Sequence, residues 1–211
     1  MKLKKSHSEN TVGPWAKEKL EALKQGRPEK WIHVEQADAN DRIRRLAQKI
    51  GNRPNVRGVA FLDPYGSNLE WETVAALGRT GHFEVLINLP LHMAINRLLV
   101  KDVSRRPEWE AMVDRVFGCE EWRREVYDTK TDLFGDTEEF KNERVPHRLL
   151  QFYLHRLHGV FQCIAPNRRL IRNTKGSPLY YLLWAGPHPK GLVGAAHILE
   201  DRMRLSKATR P

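Results

Sequence analysis

Asp63-Pro64-Tyr65-Gly66 is the stretch best equipped for chemistry, because it ends the apolar run Val59-Ala60-Phe61-Leu62 with a carboxylate, a rigid imino acid, an aromatic ring and a glycine. Pro64 has a fixed φ and no N–H. It restrains Asp63 to an extended conformation and leaves backbone carbonyls to accept from a ligand's amino group. Asp63 adds a charged acceptor, Tyr65 a flat face on which a base can stack, and Gly66 room for close approach. The residue types point to a holder for a planar amine at the carboxyl edge of a sheet, where open α/β sheets bind ligands. The same types also build an ordinary strand-to-loop turn, and the tetrapeptide alone does not choose between the two.

A second candidate is electrostatic. The chain carries a net charge of +10 over 211 residues, with a pI near 9.8, and a polyanion gains affinity from such a field by counterion release. The densest basic stretch, Arg168, Arg169, Arg172 and Lys175, lies beside an expected strand and suits a row of phosphates; a solvated hairpin explains it equally well. Nucleic acid is the partner this charge suggests. His155 and His158 share a helix face but lack a third ligand, so no metal site is expected. Trp109, Trp122, Phe152, Tyr153, Tyr180 and Tyr181 read as core before they read as a stacking platform. Cys119 and Cys163 have no CxxC partner, which fits a reducing cytoplasm. Met1-Lys2-Leu3-Lys4-Lys5-Ser6 opens no apolar h-region. The greasiest stretch, Phe83 to Val100, is interrupted by Glu84, Asn88, Pro90, His92, Asn96 and Arg97 and does not read as a membrane span.

The elements that must position these residues alternate. Residues 1–13 read as a flexible basic N-terminus and 14–211 as a single α/β domain. Trp15, Leu20 and Leu23 predict a helix ending near Gly26, and Trp31-Ile32-His33-Val34 a short strand. A helix begins at Asp38-Ala39-Asn40-Asp41 and runs to Ile50. Strands are expected at Val56–Leu62 and Phe83–Leu89, with helices at Leu69–Leu77 and Met93–Val100. A helical insertion covers about 107–158: a helix from Pro107 to Tyr127, a charged exposed stretch from Asp128 to Asn142, and a helix from Val145 to Leu157. A strand at Val160–Ile164, the basic segment, a strand at Pro178–Ala185 and a helix at Leu192–Met203 follow. This order predicts a mixed, largely parallel sheet with helices on both faces.

Several segments, in order, resemble the three-Cys-motif partner (TcmP) family of Rossmann-like, methyltransferase-type proteins. They include His7 to Leu20, Val34 to Asn40, Phe61-Leu62-Asp63-Pro64-Tyr65-Gly66 with Trp71, and Leu89-Pro90. Asn96-Arg97-Leu98-Leu99, Phe117-Gly118, Trp122 and Asp132-Leu133-Phe134-Gly135 continue the likeness, and Arg172-Asn173, Ser177-Pro178-Leu179-Tyr180 and Leu192 to Ile198 complete it. The resemblance covers nearly the whole chain. It implies S-adenosylmethionine as cofactor, with Glu35 holding the ribose and Asp38 and Asn40 beside it. It also implies Asp63, Pro64, Tyr65 and Gly66 as the catalytic turn that holds the target amine. Asp38 is equally well explained as a helix N-cap, and Glu35 as a solvated strand end. One departure stands out. The family's first strand ends in a D-x-F-A-G-x-G-like turn, whereas only Gly26-Arg27-Pro28-Glu29-Lys30 separates the first helix from the strand at Trp31. That is too little for a strand, a glycine turn and a crossover helix. The expectation is therefore either a methyltransferase-like protein acting on a nucleic-acid amino group, or a catalytically inactive partner protein or nucleic-acid-binding scaffold on the same fold.

Overall fold

The computed structural model describes residues 33–53, 55–99, 107–131, 137–142 and 144–200, with isolated positions 18, 19, 21, 22, 25 and 134. Glu18, Lys19, Glu21, Ala22 and Gln25 are helical, within the first expected helix. The expected flexible N-terminus, Trp31, Ile32, and the last turn of the expected C-terminal helix lie outside the described residues.

Helix α1 (Ala39–Gly51) starts where Asp38 accepts a hydrogen bond from the Asp41 N–H at 2.9 Å, a carboxylate cap on an unpaired amide. Strand β1 (Gly58–Leu62), helix α2 (Trp71–Thr80) and strand β2 (Phe83–Leu89) form a strand–helix–strand unit whose strands pair in parallel from Gly58 with Phe83 to Leu62 with Ile87. Gly81 ends α2 with φ 66°, a left-handed cap that glycine adopts without strain. Next come a π-helical turn (Leu91–Ile95), α3 (Asn96–Leu98), α4 (Pro107–Phe117), α5 (Arg123–Val126), the hairpin β3 (Tyr127–Thr131) and β4 (Thr137–Lys141), and α6 (Val145–His158). The chain then adds β5 (Cys163–Ile164), β6 (Arg169–Arg172), β7 (Pro178–Gly186) and α7 (Gly191–Leu199).

The main sheet is open and mixed, ordered β1-β2-β7-β5, with β6 also on β7; only β1 and β2 pair in parallel, so it is not the largely parallel sheet expected, because the closing strands return as antiparallel neighbours. Strand β7 runs antiparallel to β2, from Val85 with Ala185 to Leu89 with Tyr181. On its other side β7 pairs with β5 near its end and with β6 near its start. Side chains alternate between the two faces. One face presents Leu62, Val85, Ile87, Leu89 and Leu183 to a core completed by Val74, Leu77, Phe117, Trp122 and Tyr153. The other presents Leu86, Leu182 and Trp184 to Ala195, Leu199 and Leu192 of α7. The helical insertion is thus part of the main core. Trp122 is fully buried, and its indole N–H donates to Asp114 at 2.7 Å. Tyr153 packs edge-on against Trp71 at 5.5 Å.

Several expected elements change. His33 and Val34 carry no strand. The helix expected from Pro107 to Tyr127 breaks at Gly118, whose φ of 68° other residues rarely adopt and whose missing Cβ makes room for the Trp71 ring. The stretch from Asp128 to Asn142 contains the β3–β4 hairpin, tied back by Arg148, which donates to Asp128 at 2.7 Å. The helix expected from Met93 starts instead as a π turn, because the Ala94 and Ile95 amides both donate to the Pro90 carbonyl. No described helix is long and apolar enough to cross a membrane.

Candidate functional site

The carboxyl ends of β1 and β2 point the same way, and each carries a polar residue. Asp63 follows β1 directly, is exposed, and accepts at Oδ1 from Asn88 Nδ2 at 2.6 Å. Asn88 is only 7 % exposed, and its Oδ1 is buried with no hydrogen-bond partner. A buried, unpaired acceptor costs on the order of 1–3 kcal/mol. In a mostly apolar strand this amide is the element of the site that sequence reasoning passed over. Its signal was there: a single amide near the end of Phe83-Glu84-Val85-Leu86-Ile87-Asn88-Leu89.

The rest of the turn is less enclosed than its chemistry suggests. Tyr65 is 87 % exposed, and Gly66 turns the chain at φ 63°. Pro64, Gly66, Leu69, Leu89, Val116 and Tyr153 border a crevice that leaves no room for a water molecule. Asp63 and Tyr65 line neither that crevice nor either of two open clefts elsewhere on the surface.

The residues expected at the cofactor are engaged around the start of α1, and one of them joins α1 to α2. Asn40 is buried: its Nδ2 donates to the Asn68 carbonyl at 2.8 Å, while its Oδ1 accepts from the Glu70 N–H at 3.1 Å and the Thr73 hydroxyl at 2.8 Å. Asp38 caps α1. Glu35 accepts from Arg42 at 2.6 Å, with His33 at 3.6 Å; the Arg42 hydrogen bond leads in holding its carboxyl below the usual range. All three positions thus have local structural partners, and Asn40 is buried with both ends of its amide engaged. Asn40, so engaged, is not placed to touch S-adenosylmethionine, whereas Glu35 and Asp38 lie at the surface.

The basic segment forms a built surface. Arg169 to Arg172 pair with β7, and the loop to Ser177 is tied by Asn173 Oδ1, which accepts from the Lys175 and Ser177 amides at 3.0 and 2.9 Å. Arg172 donates to the Gly176 carbonyl at 2.9 Å, and Gly176 has φ 80°. Arg168, Arg172 and Lys175 are exposed, and Arg169 is half-buried. Because β7 is antiparallel to β2, the hairpin tip projects at the same end of the sheet as Asp63. Three strand steps separate β1 from β6, about 14 Å. His92 lies between them, its ring 5.7 Å from that of Tyr181. Burial, and then the charge of Arg172, lower its pKa, and its Nε2 is buried without a partner.

Beside the hairpin opens a cleft of about 560 Å³ walled by His147, Asn167, Arg168, Tyr181 and Glu200. A second cleft of about 410 Å³, bordered by Glu70, Glu72, Asp114 and Glu120, is acidic. His155 and His158 are exposed, and among the described residues no group of three or more His, Cys, Asp or Glu is placed to hold a metal. No family model, curated protein or solved structure matches this chain.

Proposed function

We propose that this chain is a methyltransferase-like nucleic-acid-binding protein, and that it binds its partner without transferring a methyl group. The observation that carries this reading is the basic hairpin at the carboxyl end of the parallel strands, where α/β sheets take their ligands. Arg172 and Lys175 are exposed there on a turn whose backbone is held by side-chain hydrogen bonds, and Arg168 is exposed at the other end of β6. Such a surface tracks a phosphate backbone, and backbone contact supplies most sequence-independent affinity. The half-buried rings of Tyr180 and Tyr181 lie on the strand beside the hairpin. The engagement of Asp38, Asn40 and Glu35 in local contacts favours binding over methyl transfer.

Calorimetric titration with S-adenosylmethionine, alongside binding of single-stranded RNA and DNA at low salt, tests the reading. It expects no heat from the cofactor and a nucleic-acid affinity that falls steeply with salt. Cofactor binding would restore the enzyme, with Asp63 and Asn88 as acceptors for the amine. No nucleic-acid binding at low salt would remove the partner.

A further inference from the structure

Among the described residues the outer edge of β1 is open. The strand ends the order of the sheet, and among the described residues nothing pairs with its far side. Val59 is 70 % exposed and Phe61 59 %. Both lie on the face that α7 covers over β7, with Leu86 the next side chain across from Phe61. Sheets ordinarily blunt such an edge with a lysine, a proline, a bulge or an inward charge. Gly58-Val59-Ala60-Phe61-Leu62 contains no charge and no proline and pairs with β2 without a bulge. An unguarded strand flanked by bare apolar side chains is a template for another strand.

We propose that β1 pairs with β1 of a second copy of this chain, antiparallel about a two-fold axis at Ala60, so that two sheets become one. The register follows from the residues that share the open face. Arg57, Val59, Phe61 and Asp63 alternate onto one side of the strand and its ends. With Ala60 on the axis, Val59 stands opposite Phe61 of the second copy and Arg57 opposite Asp63 of the second copy, each pair occurring twice by symmetry. A two-residue shift sets Val59 against Asp63 or Phe61 against Arg57, an apolar side chain against a charge in either direction. A one-residue shift turns opposite faces of the two copies to the same side. Only the register centred on Ala60 joins like with like and plus with minus.

The charged partners suit the role. Asp63 gives one carboxylate oxygen to Asn88 and keeps a second for a cation. Arg57 already donates to the Val56 carbonyl and lies 2.7 Å from His82 Nδ1; its guanidinium carries five N–H groups, so a carboxylate adds to these contacts. The pairing makes Asp63 an interface residue in place of the amine holder expected from its sequence.

Sedimentation of the full-length chain between roughly 1 and 200 μM reads the association directly, the range a small strand-edge interface requires. The expected result is a concentration-dependent shift from 24.6 kDa to twice that mass. Phe61→Lys abolishes the shift while circular dichroism shows an unchanged fold. Arg57→Asp and Asp63→Arg each weaken dimerisation about tenfold or more, because each sets two like-charge pairs across the strands, and the double swap R57D/D63R restores it. A chain that stays monomeric throughout, with its own residues 1–32 or nothing on the edge, overturns the proposal. A dimer indifferent to the single swaps, or one the double swap fails to rescue, overturns it as well.

Discussion

On one face of the sheet, Val85 and Ile87 are wholly buried beneath α2, together with Val74, Leu77, Phe117 and Tyr153. On the opposite face, α7 seals Trp184 with Ala165, Ala195 and Leu199, while Val59 and Phe61 stand in the open. Both faces are built from alternating residues of the same strands, yet only one is closed along its length. Closed packing is where truncation costs most, and an open apolar edge is where other molecules attach. The contrast separates residues that hold the fold from those left for association.

Breaking the closed face gives the largest effect. Leu77→Ala is expected to cost about 2–5 kcal/mol by cavity formation, read from denaturant unfolding; a loss near zero would mean that α2 is not seated on the sheet. Next comes Asn40→Ala, which strips acceptors from the Glu70 amide and the Thr73 hydroxyl. It should cost on the order of 2 kcal/mol, and an unchanged melting temperature would contradict its role as the α1–α2 clasp.

The same contrast explains how much of the fold is legible in the sequence. Phe83–Leu89 and Pro178–Gly186 announce themselves because buried strands are continuous apolar runs. The Asp38 cap is equally plain because the rule is local. What stays hidden depends on residues far apart in the chain. Asn88 matters only because β1 lays Asp63 beside it. Asn40 reads as a cofactor neighbour until α2 folds against it. Gly118 breaks a helix that its apolar spacing continues, since the Trp71 ring needs the space its Cβ would fill. Tyr65 has the chemistry of a stacking residue, and no local pattern could tell that it stands outside a cleft.

His92 sharpens the comparison at the boundary between the closed core and the open end. Burial holds its pKa below the ordinary 6.5, with Arg172 adding to the effect. The unfolded chain recovers the ordinary value and takes up the proton first as pH falls. Stability associated with neutral His92 is therefore present above pH 6.5 and declines beneath it toward the lowered folded pKa. In His92→Gln this part of the acid slope should flatten in pH-dependent melting; an identical slope would assign it to other groups. The smallest effect belongs to the open face. Phe61→Ser should change monomer stability by no more than about 0.5 kcal/mol, measured at a concentration below dimerisation, and a larger loss would mean that the edge is covered from within.

The nucleic-acid reading meets its most direct test in the salt dependence of RNA binding by the R168A/R169A/R172A variant. Fluorescence anisotropy with a labelled single-stranded RNA, titrated across salt, should show weaker binding and a log–log slope shallower by about 0.7 for each phosphate that an arginine no longer neutralises. A variant that keeps both the affinity and the slope of the unaltered chain would contradict a phosphate-tracking hairpin.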